Sequence, residues 1–471
     1  MANKCVFVYL VALLAVSLLF ADYSLPWWLC VFGIVSVCMF FFGSNHLTKA
    51  WHNITERNFA KKLFVSAFLI RVIYVIFIYF FNMEHYGTYY ESSEGDITWY
   101  VPSALQMVEQ LKEGRFMDVV HMWMGWNVDI SDLGYIIYLS ILYLLTGGFS
   151  EVVFPLILKA IYGAVTCLMM YRVAKRHFGE HVGRMTGIFC MLQANMIWWC
   201  GSMMKETEMI FFLSLYVNEM DRVLSLEKFE LKDLTGAILL GFVLFAFRSV
   251  LALVAFGAMF VSVLLTKTQI ISIGKKIFLG SIVVLVLALS YGDNILVMAN
   301  DLKDTAFSGT EQQANMEWRT KRANGNKFAK YAGAAVFAPL IFTIPFPNMV
   351  YTFQGQEMHM MMNGGNFEKN ILSFFVIMVM FSFLLTGEWR KHTFIIAMLI
   401  AYLLALVFSN FAQSGRFHMP IIPLELMYAA YGISALYKTK VMKRWFNYAL
   451  VLEFIACIAW GWFKLAGRGM I

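Results

Sequence analysis

Residues 1–24 read MANKCVFVYLVALLAVSLLFADYS, and a second apolar run, Trp27 to Phe42, follows almost at once. A lone leading run would fit a cleaved secretion signal, whereas two in immediate succession read as a helical hairpin. Comparable runs recur to the far end of the chain. Of 471 residues, 60% are apolar and 14% charged, where a soluble domain carries about 25% charge. An apolar run of about 20 residues crosses the hydrocarbon as a helix, because a helix satisfies its own backbone polar groups there. The expected fold class is all-α: a polytopic transmembrane helical bundle.

About 13 spans are expected, near residues 5–21, 27–44, 63–83, 151–171, 186–200, 207–220, 235–248, 250–266, 277–292, 371–386, 394–409, 419–436 and 446–463. Short cytoplasmic loops collect Lys and Arg. The basic connections are Lys49/Arg57/Lys61/Lys62, Arg172/Lys175/Arg176/Arg184, Lys267/Lys275/Lys276, Arg390/Lys391 and Lys438/Lys440/Lys443/Arg444. Placing all of them inside gives one consistent threading with a cytoplasmic amino terminus. Under it the apolar runs Leu133–Leu145 and Ala334–Met349 do not cross, and are expected as interfacial helices in two large outer loops.

The chain then divides into an N-terminal hairpin with a basic cytoplasmic loop (1–62), a transmembrane module (63–292) whose first outer loop spans 84–150, a basic outer loop (293–370) and C-terminal helices (371–471). The basic loop carries Lys303, Arg319, Lys321, Arg322, Lys327 and Lys330. It reads either as a solubilising surface or as a cradle for an anionic headgroup. The net charge of +7 follows from topology and calls for no nucleic-acid partner. Seven cysteines lack CxxC spacing and nine histidines lack HExxH, which argues against disulfide, metal and zinc-hydrolase roles. GxxxxGK[ST] and GxGxxG are absent too, which disfavours ATP-driven transport.

Candidate chemistry sits in four places. The first outer loop, HYGTYYESSEGDITWYVPSALQMVEQLKEG (85–114), clusters Glu91, Glu94 and Asp96, with Tyr100 one helical turn beyond Asp96. Asp96 suits a general base, or simply the N-cap of an amphipathic helix over 97–112. In NMIWWCGSMMKETEMIFFLSLY (195–216), Lys205, Glu206 and Glu208 are squeezed between apolar runs, where charge is costly unless paired or used. Arg248 in LFAFRSVLAL (244–253) must face protein, water or a headgroup, and phosphate and an internal partner fit it equally well. Arg416 lies where the outer turn of FSNFAQSGRFHMPIIPLELMYAAYGI (408–433) meets a new span. The threading brings Asp96, Glu206, Arg248 and Arg416 to one depth, but leaves their lateral convergence open. Lys159 is the main charge expected inside a span.

The order of these pieces resembles the GT-C superfamily of membrane glycosyltransferases, in particular bacterial relatives of protein mannosyltransferases and of the enzyme that adds aminoarabinose to lipid A. The resemblance is carried by LIRVIYVIFIYFF (69–81), EGDITWY (94–100), YRVAKRHFG (171–179), MKETEMIFF (204–212) and SGRFHMPIIPLELMYAAYGI (414–433). Two extra spans lead the chain, and the second acid is Glu. The resemblance implies transfer of a sugar from a polyprenyl-phosphate donor to an acceptor hydroxyl, at the periplasmic or outer face of a bacterial inner membrane. Asp96 would be the base, Glu206 the second acid, and Tyr100, Lys205, Arg248, Arg416, Arg319 and Arg322 would bind substrate. The acceptor stays open among glycan, lipid and protein. No particular cofactor is implied, and a divalent cation stays open. Two other readings stay open: an O-antigen-type polysaccharide polymerase or ligase using lipid-pyrophosphate donors, which shares the outer arginines and large outer loop but needs no acid in the first outer loop, and a lipid-linked oligosaccharide transporter, which would expose charges along a path through both leaflets.

Overall fold

A computed structural model describes residues 2–90, 96–115, 118, 130–146, 152–226, 231–265, 349–350, 365–408, 415–436, 440–467 and 469–471. Within them the chain is helical: α1 (Ala2–Leu19), α2 (Trp27–Ala50), α3 (Glu56–Tyr86), α4 (Ile97–Lys112), α5 (Ile130–Leu145), α6 (Val153–Phe178), α7 (Glu180–Leu192), α8 (Ala194–Trp198), α9 (Glu206–Leu224), α10 (Thr235–Phe247), α11 (Ser249–Leu265), α12 (Gly365–Thr386), α13 (Thr393–Phe408), α14 (Gly415–His418), α15 (Ile422–Leu436) and α16 (Lys440–Ala466). Among the described residues six segments are long and apolar enough to cross a membrane: Val31–Ala50, Glu56–Tyr86, Val153–Phe178, Gly365–Thr386, Gly415–Leu436 and Lys443–Ala466. The protein is thus an all-α, multi-pass membrane protein. The expected spans 186–200 and 235–248 coincide with shorter pieces, α7 and α10, of 13 residues each. The span near 277–292, the run 334–348, and Arg319 and Arg322 lie outside the described residues.

Which helix meets lipid follows from its apolar pattern. α3 buries 22% of its most apolar window and turns Ile73, Phe77 and Phe80 outward, whereas the Gly415–Leu436 segment buries 89%. The first is a peripheral helix and the second a central one. Breaks occur where polar residues interrupt apolar runs. Arg248 is extended (φ −163°, ψ 109°) and separates α10 from α11. Gln193 separates α7 from α8, its side chain accepting from Met196 N at 2.9 Å. Arg71, fully buried on α3, supplies the missing partners at that break. Its guanidinium donates to Cys190 O at 3.0 Å and Met191 O at 3.4 Å, carbonyls at the end of α7. Gly163 on α6 is required beside it, since a methyl group there would collide with Arg71 Nε. In the motif that carries the family resemblance, this arginine is therefore a structural clasp.

Contacts between helix ends define two ends of the bundle. Arg184, at the start of α7, donates to Trp51 O, His52 O and Ile54 O at 2.7–2.9 Å. Lys175 pairs with Glu56, His177 with His392, and Phe381 packs on Trp445 at 4.6 Å. Four of the five basic connections read from the sequence therefore gather at one end; the Lys267–Lys276 connection lies outside the described residues. At the opposite end Tyr23 donates to Met470 O at 2.6 Å, and Gln193 donates to Gly365 O at 3.1 Å.

Candidate active site

The end opposite the basic connections holds a cluster of charges drawn from six segments. It begins at the tight entry to α9, where Lys205 precedes the helix and Glu206 and Glu208 occupy its first turn. A helix N-terminus stabilises acids by its dipole, yet all three side chains are buried, so each also needs a partner. Glu208 takes Lys159 of α6 at 2.6 Å, both wholly buried. Lys159 also donates to Met204 O at 2.5 Å, tying the pair to the turn before α9. Lys205 reaches sideways to Asp132 at the start of α5. Glu206 holds Arg416 Nε through one oxygen, while its other oxygen is buried without a hydrogen-bond partner among the described residues.

Arg416 bridges two acids. Its second arm meets Asp96 Oδ2 at 2.6 Å, so Asp96 and Glu206 share one guanidinium. Asp96 is the open side of the cluster, with its side chain 43% exposed against 0% for Glu206. Although it precedes α4, its side chain makes no capping hydrogen bond, which removes the reading of Asp96 as a helix cap alone. Tyr100 lies one turn on. Its hydroxyl donates to Asp132 Oδ1 at 2.6 Å and stands 3.4 Å from Asp96 Oδ2. Burial, reinforced by the negative Asp132, pushes this phenol well above the ordinary tyrosine range. Burial works against ionisation of Asp132, but Lys205, Tyr100 and Arg416 together hold it below the usual carboxylate range. Burial lowers the Lys205 ammonium, with Asp132 opposing.

Arg248 completes the group. It sits where α10 breaks, its Nη1 donating to the Tyr402 hydroxyl at 3.4 Å and its Cζ 4.3 Å over the Phe417 ring. Tyr402 in turn donates to Phe417 O at 2.9 Å, fixing α13 against the Arg416 turn. No carboxylate pairs with Arg248 among the described residues. Asp96, Asp132, Glu206 and Glu208 face Lys159, Lys205, Arg248 and Arg416, so the cluster is close to neutral. Among the described residues no three His, Cys, Asp or Glu side chains are grouped to hold a metal ion. Each of the cluster's four carboxylates is met by a lysine or an arginine instead.

Asp96, Tyr100, Lys205, Glu206, Arg248 and Arg416, picked out by sequence, thus meet in space, while Arg319 and Arg322 lie outside the described residues. Sequence reasoning passed over Asp132, whose signal was an acid heading the apolar run 133–145. It noted Lys159 and Glu208 without pairing them. Fold and site together define a multi-pass helical membrane protein with a charge-balanced, one-sided polar cluster that opens at a carboxylate. No protein-family model matches the chain, and no curated protein matches it either.

Proposed function

We propose that the chain is a GT-C-type inverting glycosyltransferase with about 13 spans and interfacial segments in its two outer loops. It works in the inner membrane of a bacterium, with the charged cluster facing the periplasm. The observation that carries this reading is Arg416 held between Asp96 and Glu206, beside Arg248, which meets no carboxylate among the described residues. Gathering four basic connections at the other end supports a cytoplasmic placement of that end.

The donor is a sugar on a polyprenyl phosphate, its tail in lipid and its phosphate against Arg248 and Arg416. Asp96, the exposed carboxylate, takes the proton of an acceptor hydroxyl as that oxygen attacks the anomeric carbon. The bond from that carbon to the phosphate oxygen breaks, and the electron pair leaves on the phosphate. This leaving group needs positive charge in place, not a proton, and the arginines supply it from fixed positions. A single displacement by one base inverts the anomeric centre. Glu206 sets the orientation of Arg416, and Tyr100 with Lys205 holds Asp132 at the edge of the site.

Asp96→Asn tests the assignment directly. Purified protein in lipid, supplied with prenyl-phosphate sugars, should lose release of free prenyl phosphate by about 10²–10⁴-fold while its folded fraction stays unchanged. Retained transfer removes Asp96 from the role. It would favour the lipid-pyrophosphate polymerase or ligase reading, which needs outer arginines but no acid in the first loop.

A further inference from the structure

Next to the charged cluster lies a second buried polar group, formed by Lys369, His418 and Glu425, to which the transfer reaction assigns no part. None of the three side chains is more than 3% exposed. Lys369 stands near the start of α12, its Nζ 3.1 Å from His418 Nδ1 and 3.7 Å from Glu425 Oε2 in the first turn of α15. His418 ends α14, the short helix that carries Arg416.

Four residues are too few to hold a helix by its own hydrogen bonds, so α14 takes its shape from what it meets. Arg416 reaches Asp96 and Glu206. The Phe417 carbonyl accepts from Tyr402 at 2.9 Å, and Tyr402 itself accepts from Arg248. His418 meets Lys369. Three consecutive residues are thus tied in three directions. Of these ties, the one through His418 runs to α12, which supplies no member of the charged cluster. It gives Arg416 a reference point outside the reacting groups.

A buried lysine and glutamate give up their water shells, and an apolar pair of similar volume is often as stable or more so. Stability therefore does not account for Lys369 and Glu425, whereas geometry does. We propose that His418, held by Lys369 and Glu425, is a positioning residue that sets the Arg416 guanidinium between Asp96 and Glu206. The inference rests on the transfer reading, in which Arg416 meets the leaving phosphate. Were the His418 tie cut, Arg416 would keep its charge near the phosphate but lose its alignment with the charge that grows as the bond breaks.

The test uses the full chain in lipid nanodiscs, following prenyl-phosphate release per folded molecule and amide hydrogen exchange over residues 415–421. In His418→Phe, kcat should fall about 10–100-fold while KM for the donor stays within about threefold. Exchange over 415–421 should rise about tenfold. His418→Asn puts an amide oxygen, or after a half-turn an amide nitrogen, where Nδ1 stood, and should recover kcat to within about threefold. Lys369→Met/Glu425→Leu should be as stable as wild type and yet show the same fall in kcat. A merely structural role would leave kcat per folded molecule unchanged in every variant. That result, a rise in KM with kcat unchanged, or an asparagine variant as poor as the phenylalanine one overturns the proposal. If His418→Phe fails to fold, the Lys369/Glu425 double variant carries the same comparison. A wild type that releases no prenyl phosphate overturns the transfer reading instead. Exchange then decides the tie alone: faster exchange in His418→Phe, restored in His418→Asn, upholds it, and unchanged exchange removes it.

Discussion

The two ends of the bundle handle charge in opposite ways. At the Asp96 end the carboxylates are answered from distant segments, by Arg416, Lys205 and Lys159, and the cations are largely buried. At the basic end the Arg184 and Arg176 anchors are satisfied by carbonyls and carboxylates, but Arg390 and Lys391 stand exposed without acids among the described residues. Lys159 and His177 lie 18 positions apart on α6 (177 − 159), so about 27 Å of helix separates the clusters. One end is a fixed, nearly neutral arrangement suited to charge that develops during a reaction, and the other is a surplus of positive charge facing water. In the proposed transfer, the first supplies the pre-set charge that transition-state stabilisation demands.

The sharpest way to break that contrast is at its most buried pair. Lys159→Met leaves Glu208 with no cation at 0% exposure, and should cost about 3–5 kcal/mol of stability. Lys159→Met combined with Glu208→Leu should recover most of it, because an apolar pair of similar volume carries no desolvation cost. Chemical unfolding in detergent monitored by far-UV circular dichroism measures both, and a single variant as stable as wild type would mean that the pair does not anchor the cluster. A smaller effect is expected from Arg416→Lys. An ammonium cannot bridge Asp96 and Glu206 with two separate arms, so prenyl-phosphate release should fall about 10–100-fold with folding intact. Unchanged release would place the phosphate contact on Arg248 alone.

Much of this was legible in residues and some was not, for physical reasons. Apolar length and the clustering of Lys and Arg were enough for an all-α multi-pass chain, because the bilayer constrains both directly. The cluster's members stood out as charges in apolar surroundings, and Arg248 and Arg416 were conspicuous for that reason. Their convergence was not readable, since Asp96 and Arg416 are 320 positions apart (416 − 96) and depth says nothing about lateral position. Asp132 escaped because an acid ahead of an apolar run looks like an ordinary helix start. Arg71 shows the reverse limit. It lies in a stretch that carries the family resemblance, where nothing in the sequence signals that its hydrogen bonds close the end of a broken helix.

Acid should sharpen the contrast from the other side. Burial, with His177 and Lys391 adding to it, pushes His392 down to about 3. The fold therefore favours neutral imidazole, whereas the unfolded chain takes up a proton near the ordinary histidine value of about 6.5. Between these two values the unfolded state binds more protons, so stability is complete above about 6.5 and is lost as pH falls toward 3. The expected loss from pH 7 to pH 5.5 is about 1 kcal/mol, the smallest of the effects argued here. His392→Phe should flatten that slope, while Asp96→Asn, at the far end, should leave it as it is. Unfolding midpoints measured across this interval check it, and an identical slope in wild type and His392→Phe would assign the acid sensitivity to another group.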